Sequence, residues 1–467
     1  MKLPKDFIKK YQQLLGDQAA AFFASLQHGE VQKGFRLNPL KTEYHQVAVN
    51  LDKPIPYTET GFYGEIDGRS LEQQAGYVYS QEPSAMYPAE VAVAKPGEKI
   101  LDLCAAPGGK ATQLAGRMKN QGLLVANEIN YKRAKVLAEN LERVGAQNVL
   151  ITNERPDRLV PVFAGFFDKI LVDAPCSGEG MFRKDPTAIF YWSKDYPHQC
   201  ALRQREILKS ALKMLRPAGQ LIYSTCTFSP EEDEQIVAWL LGNYPSLNLL
   251  PLKKYPGMDS GRPEFAARQA ELTKTVRLFP QHFKGEGHFI AKFQNAASPI
   301  RTRLISKPKK RSRQPIFKAL NAPQIKYWAE FCQWLFGKQL FLRQDLKVMN
   351  DTLFYYPAAW PDISTLHFIS PGLNLGVFKK KRFEPSYSLA LALDPQVCQQ
   401  KIALSLPQWD AYVQGQPVQL PASDLKNGWY LLTCQQKPFS FGKLTGQTLK
   451  NYFPKGLRLR YGRNFNK

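Results

Sequence analysis

The 467-residue chain contains no Cys-x-x-Cys pair, and its seven cysteines are unevenly spaced. That pattern excludes a disulfide framework and offers no zinc-ligand spacing, so a reduced, cytoplasmic setting fits best. No apolar run approaches the ~18 residues expected of a membrane span. The opening Met1-Lys2-Leu3-Pro4-Lys5-Asp6 leads into an amphipathic segment rather than a signal-peptide core. There is no internal repeat, which sets solenoids aside. Acids are scarce: 40 Asp and Glu stand against 63 Lys and Arg, a formal charge of +23. Such an imbalance favours a polyanionic partner, while the lack of apolar spans points away from a membrane.

What is present reads as a multidomain globular protein. Hydrophobic content of 44% is ordinary, and at ~100–200 residues per domain the length implies three or so domains. From about 85 to 295 strand and helix patterns alternate, as a doubly wound, mostly parallel α/β sheet requires. The most informative stretch is Cys104-Ala105-Ala106-Pro107-Gly108-Gly109-Lys110, between the apolar strand Lys99–Leu103 and the helical Ala111–Met118. A glycine-bearing strand-to-helix turn brings backbone N–H groups close to a ligand. Glu128 closes the next strand, where α/β nucleotide-binding domains hold ribose hydroxyls. Asp173-Ala174-Pro175-Cys176 closes Lys169–Val172, and Ser224-Thr225-Cys226-Thr227 closes Gln220–Tyr223. Ligands of open α/β sheets bind beyond such strand ends.

With Gln81-Glu82-Pro83-Ser84-Ala85-Met86, Gly180-Met181-Phe182-Arg183-Lys184-Asp185-Pro186 and Gly285-Glu286-Gly287-His288-Phe289, these motifs resemble the S-adenosylmethionine-dependent RNA cytosine-5 methyltransferases of the RsmB/RsmF/Nop/Sun group. The resemblance covers roughly residues 1–295, and the remainder looks like the C-terminal extension of the RsmF branch. It implies a Rossmann-like core, an N-terminal RNA-binding unit, and a C-terminal α+β extension ending in a PUA-like module. The implied layout is 1–80 for the N-terminal unit, 81–295 for the methyltransferase domain, 296–316 for a basic linker, 317–405 for an intermediate domain and 406–467 for the PUA-like module. It also implies methylation of small-subunit (16S) rRNA by a monomer.

Cytosine C5 is a poor nucleophile, so this chemistry calls for covalent activation by a thiolate at C6 and for an unstacked target base. The resemblance makes Cys226 the nucleophile and Cys176 its helper in release, as a base or through its thiol dipole. Residue types alone do not divide these roles, since a Pro-Cys nucleophile serves cytosine-5 DNA methyltransferases. Asp173 is expected at the N3/N4 edge of the base and beside the cofactor's methionine end. Lys110 would orient the base or neutralise charge, or else cap its helix. The backbone of Cys104, Ala105, Ala106, Pro107, Gly108 and Gly109, with Lys110, would cradle the methionine moiety, Glu128 the ribose, and Arg133 the adenosine border. Relatives often carry an adenine-contacting acid near the third strand tip. Here an ungapped alignment puts Arg155 there, leaving Asn153 or Glu154 as substitutes. Competing readings are the same chemistry on tRNA or another rRNA, and a non-catalytic RNA-binding assembly factor.

Several further expectations are local. Phe7, Tyr11, Leu14, Leu15 and Phe22 fall at helical spacing and are assigned to core. Arg36 either touches RNA phosphate or makes a structural hydrogen bond. Ser229-Pro230-Glu231-Glu232 reads as a capping box, with Glu231, Glu232, Asp233 and Glu234 complementing the helix dipole. Phe378 and Phe383 flank the basic run Lys379–Arg382, as base-stacking residues or as strand residues beside a solvated face. Tyr452, Phe453, Tyr461, Lys455, Arg458, Arg460, Arg463 and Lys467 form the stronger RNA-contact candidate.

Overall fold

The computed structural model describes residues 2–297 and 316–459. The expected linker run Ser306–Pro315 and the tail residues Arg460, Tyr461, Arg463 and Lys467 lie outside the described residues.

The N-terminal unit pairs helices Lys5–Leu15 and Ala19–His28 with a small antiparallel sheet of β1 (Gly34–Leu37), β2 (Gly61–Tyr63) and β3 (Val78–Ser80). Phe7, Tyr11, Leu15 and Phe22 are buried as expected. They pack on Phe182, Trp192, Phe228 and Phe279 of the following domain rather than forming a separate core.

The central sheet is built from β4 (Lys99–Asp102), β5 (Leu123–Asn127), β6 (Val149–Thr152), β7 (Phe167–Asp173) and β8 (Leu215–Thr225), all parallel, in the order β8-β7-β4-β5-β6. Their near-continuous apolar runs suit strands covered on both faces, by helices such as Gly109–Met118, Tyr131–Arg143 and Tyr196–Met214. Beyond β8 lie β9 (Leu247–Leu250), β10 (Asp259–Ser260), β11 (Val276–Leu278) and β12 (His288–Asn295), with β12 antiparallel to β8. Chain order reverses at β4: β5 and β6 continue to one side, β7 and β8 to the other. That reversal opens a crevice at the strand tips. β8 differs from expectation at its start. It begins at Leu215 directly after the helix, and Pro217 to Gly219 sit in a register shift where Phe167 pairs Leu215 and Lys169 pairs Gln220.

The C-terminal region is not a detached appendage. Strands β13 (Leu346–Met349), β14 (Thr352–Tyr355), β16 (Leu373–Lys379) and β17 (Arg382–Pro385) form their own antiparallel sheet. Between them β15 (Phe368–Ser370) crosses over and pairs antiparallel with β6, completing the central sheet. Lys41 donates to the Leu391 carbonyl (2.6 Å) and Gln147 to the Ala392 carbonyl (2.8 Å), fastening the same region to the N-terminal unit and to the central domain. The last sheet, of β18 (Lys401–Leu404), β19 (Val418–Gln419), β20 (Gly428–Cys434), β21 (Lys437–Thr445) and β22 (Thr448–Asn451), takes in Lys401–Leu404 ahead of the boundary expected at 406. Phe378 and Phe383 pack against each other as a tilted pair inside the core with Trp328 and Phe331, so neither offers a face to a base. Of the tail aromatics, Phe453 is buried and Tyr452 is exposed at 41%. Among the described residues, no helix is long and apolar enough to cross a membrane.

Candidate active site

The tips of β4, β5, β7 and β8 converge on a cleft of about 680 Å³. Cys104, Ala106, Glu128, Arg133, Asp173, Cys176 and Cys226 line it together. The two sulfurs sit 3.1 Å apart. This is hydrogen-bond contact for thiols and well beyond a disulfide length of about 2.05 Å; all seven cysteines are free. The hydrogen bond with Cys226, followed by burial, raises the Cys176 thiol well above its ordinary value, so Cys176 keeps its proton beside Cys226.

Lys110 does not cap its helix. Its ammonium reaches the Asp173 Oδ2 at 2.7 Å, while Ser224 donates to Oδ1 at 2.7 Å. Burial alone would raise the Asp173 carboxyl, but Lys110 and Ser224 outweigh it and hold it below the usual range. Burial likewise works against the Lys110 charge, yet Asp173 more than compensates and raises it. Both groups stay ionised, giving the cleft a fixed dipole beside the thiols.

On the other wall Glu128 is 4% exposed, accepts from the Asn130 N–H at 2.8 Å and lies 3.4 Å from Arg133. Arg133 also donates to the Ala106 carbonyl at 2.7 Å, so it borders the cleft while holding the first loop. The glycines of that loop act by packing. A Cβ on Gly108, at φ +119°, would come within 3.2 Å of Leu137, and one on Gly109 within 3.1 Å of Gln81. Arg36 is buried and donates to Gln81, the Gly109 carbonyl and Thr112, which settles its role as structural.

Asn153 is not part of the cleft lining. Its amide donates to the carbonyls of Glu128 and Ile129, because its strand end turns towards β5. Glu154 turns the other way and accepts from the backbone and ring of His367. The acid that does line the cleft near the third strand tip is Asp157, held by Arg155 at 3.1 Å. Apart from its place four residues past Asn153, no sequence feature marks it. Asp102, at the end of β4, likewise carries no motif of its own in the sequence. It is fully buried, has no hydrogen bond of full geometry among the described residues beyond a weak approach from the Cys104 backbone N–H, and burial pushes its carboxyl up to about 8. A buried carboxyl with acceptor capacity to spare at the β4 tip fits the amino group of a methionine moiety, and Glu128 fits a ribose. The donor set therefore suits S-adenosylmethionine.

The expected capping box at Ser229 does not form. Its hydroxyl donates to Glu179 at 3.1 Å, and the helix starts later, at Glu234. The acidic run supports the site from below instead. Glu231 pairs with Lys10, Glu232 accepts from the Ser177 N–H and Gln204, and Asp233 and Glu234 pair with the buried Arg277. Burial raises the Glu232 carboxyl to about 8. Helix-dipole complementarity would have left these acids in water; the arginine on β11 draws them inward.

A parallel sheet in this order, with an acid at the second strand tip and the cleft at the reversal, is the fold of the S-adenosylmethionine-dependent methyltransferases. A methyltransferase homologue from Pyrococcus horikoshii, solved as a crystal structure, superposes with a TM-score of 0.56 at 32% identity, over 62% of this chain and 95% of that one. The chain belongs to the family described as 16S rRNA methyltransferase RsmB/F, whose model matches residues 90–294. Residues 3–83 match the N-terminal domain of 16S rRNA methyltransferase RsmF, 330–393 the RsmF first C-terminal domain, and 399–459 the RsmF PUA domain. A relative from Vibrio cholerae named ribosomal RNA small subunit methyltransferase F is 32% identical over 98% of both chains. One of the same name from Erwinia tasmaniensis is 30% identical over 97% of this chain and 96% of its own.

Proposed function

We propose that the protein methylates C5 of a cytosine in 16S rRNA through a transient bond between Cys226 and C6 of the base. The relatives' names support the RNA, and one observation carries the chemistry: two free thiols 3.1 Å apart in the cleft that also holds Glu128 and Asp173. Addition of the Cys226 thiolate forms an S–C6 bond and moves an electron pair to C5, making that carbon nucleophilic. S-adenosylmethionine, held by Glu128 and the loop Cys104–Gly109, would supply an electrophilic methyl group there. Loss of the C5 proton to a base then lets the ring expel the thiolate, breaking S–C6 and restoring Cys226. Asp173, kept ionised by Lys110, accepts from the N3/N4 edge of the base. Cys176 retains its proton, which favours the thiol-dipole role over that of a base: its S–H steadies the departing Cys226 sulfur. The exposed Tyr452, with Lys455 and Arg458 nearby in sequence, would add RNA affinity from the last domain.

The test is adduct trapping on a 16S rRNA transcript with S-adenosylmethionine. Cys176→Ala should accumulate a methylated enzyme–RNA species that survives a denaturing gel, and Cys226→Ala should form none. An adduct from Cys226→Ala alone would reverse the two roles. Activity surviving in Cys226→Ala without any adduct refutes the covalent route. Bisulfite sequencing of total RNA from a deletion strain separates 16S rRNA from a tRNA substrate.

A further inference from the structure

Three residues beyond Cys176 lies Glu179, which is fully buried and lines no part of the cleft. Its carboxylate is a junction. Trp192 Nε1 (2.9 Å) and the Ser229 hydroxyl (3.1 Å) donate to Oε1. The Thr227 hydroxyl (2.9 Å), the Phe228 N–H (3.2 Å) and the Tyr11 hydroxyl donate to Oε2. Thr227, Phe228 and Ser229 directly follow Cys226, and Tyr11 comes from the first helix of the N-terminal unit.

Two neighbouring contacts join the same pair of loops. The Gly180 N–H donates to the Cys226 carbonyl at 2.9 Å, and the Ser177 and Thr227 hydroxyls meet at 2.8 Å. A Cβ on Gly180 would lie 2.9 Å from that carbonyl oxygen, so the approach needs glycine. Beyond the β7–β8 pairing of Asp173 with Ser224, the loops carrying Cys176 and Cys226 are thus tied to each other through residues 177–180 and 227–229.

We propose that Glu179 is a positioning residue for the thiol pair. It holds the segment after Cys226 in register with the segment after Cys176, and through Tyr11 makes that register depend on the N-terminal helix. This rests on the reading that the two cysteines act together. The carboxylate form matters because two of its donors, Trp192 Nε1–H and Phe228 N–H, cannot turn into acceptors. They address different oxygens, so a glutamine would face a donor whichever way its amide turned.

The experiment compares full-length wild type with Glu179→Gln, Glu179→Asp and Tyr11→Phe. Iodoacetamide labelling of each cysteine is followed by peptide mass spectrometry against pH, alongside kcat and KM. In the wild type Cys176 should label slowly, because the contact with Cys226 and burial keep its thiol protonated. Loosening the register in Glu179→Gln removes that hold, so Cys176 should label at lower pH. Its kcat should fall ~10–100-fold, the size of effect a small misplacement of reacting groups produces, with KM for S-adenosylmethionine unchanged. Glu179→Asp should recover part of both losses, and Tyr11→Phe should show the same changes at smaller size. A folded Glu179→Gln with wild-type labelling profile and wild-type kcat overturns the proposal. If Glu179→Gln does not fold, wild-type behaviour of Tyr11→Phe overturns it. Labelling needs no RNA, so a failure of the cytosine reading, shown by an active Cys226→Ala, would be seen separately from a failure of the positioning role.

Discussion

Ile363 lies more than two hundred residues beyond the cofactor-side strand β5, in a region whose sequence looks like a separate domain. Yet it is fully buried in one apolar cluster with Leu150 of β6 and with Leu159 and Phe163 of the next helix. Ile363→Ala should therefore destabilise the methyltransferase sheet. Truncating a buried isoleucine to alanine costs roughly 2–5 kcal/mol. The lower end applies, since Ile363 sits in an irregular segment before β15 that can partly collapse. A loss of about 2 kcal/mol, at about 1.4 kcal/mol per factor of ten, predicts roughly 30-fold faster hydrogen exchange wherever opening is coupled to that cluster. Peptides covering β5 and β6 report this directly by exchange mass spectrometry. The reasoning fails if only peptides beyond residue 316 speed up while Val149–Thr152 exchanges as in the wild type. That result would mean β15 rests on the sheet without supporting it.

Two other consequences are simpler to check. Glu128→Gln should weaken S-adenosylmethionine binding by about 1.5–3 kcal/mol, the range for hydrogen bonds to a charged group, and titration calorimetry with unchanged affinity would remove Glu128 from the site. Asp102 should make stability depend on pH with an unusual sign. The unfolded chain loses this proton near 3.9 and the folded protein near 8, so folding binds a proton between those values and stability falls as pH rises through that window. Thermal scans should show a shallower decline between pH 6 and pH 8 for Asp102→Asn; identical slopes would mean that burial does not perturb this carboxyl.

The sequence revealed the fold where apolar strands ended in chemically marked residues. Cys104, Glu128, Asp173, Cys176 and Cys226 do share one cleft, because parallel strands send all their tips to one side of a sheet. It was less informative where partners lie far apart in the chain. Ser229-Pro230-Glu231-Glu232 satisfies a local capping pattern, but Glu179 and Arg277 compete for those side chains from elements that local reading does not place nearby. Arg36 was ambiguous for the same reason: its three acceptors come from Gln81, Gly109 and Thr112. The aromatic neighbours of the basic run at 379–382 had strand character, and burial of Phe378 and Phe383 decided between stacking and packing. β15 offered only three residues, too short for periodicity to assign it to a sheet two hundred residues upstream.

That late strand also bears on how the protein is made. On the ribosome β6 emerges as an open edge of the central sheet, and its cover, β15, follows some two hundred residues later. At ~5–20 residues per second the edge stays unpaired for roughly 10–40 seconds. Unpaired strand edges template association with other chains. The nascent methyltransferase domain would therefore be most vulnerable after its cleft-lining strand tips have been synthesised and before the distal region docks. Conditions that slow elongation through residues 300–370 should lower soluble yield more than the same delay placed after residue 400.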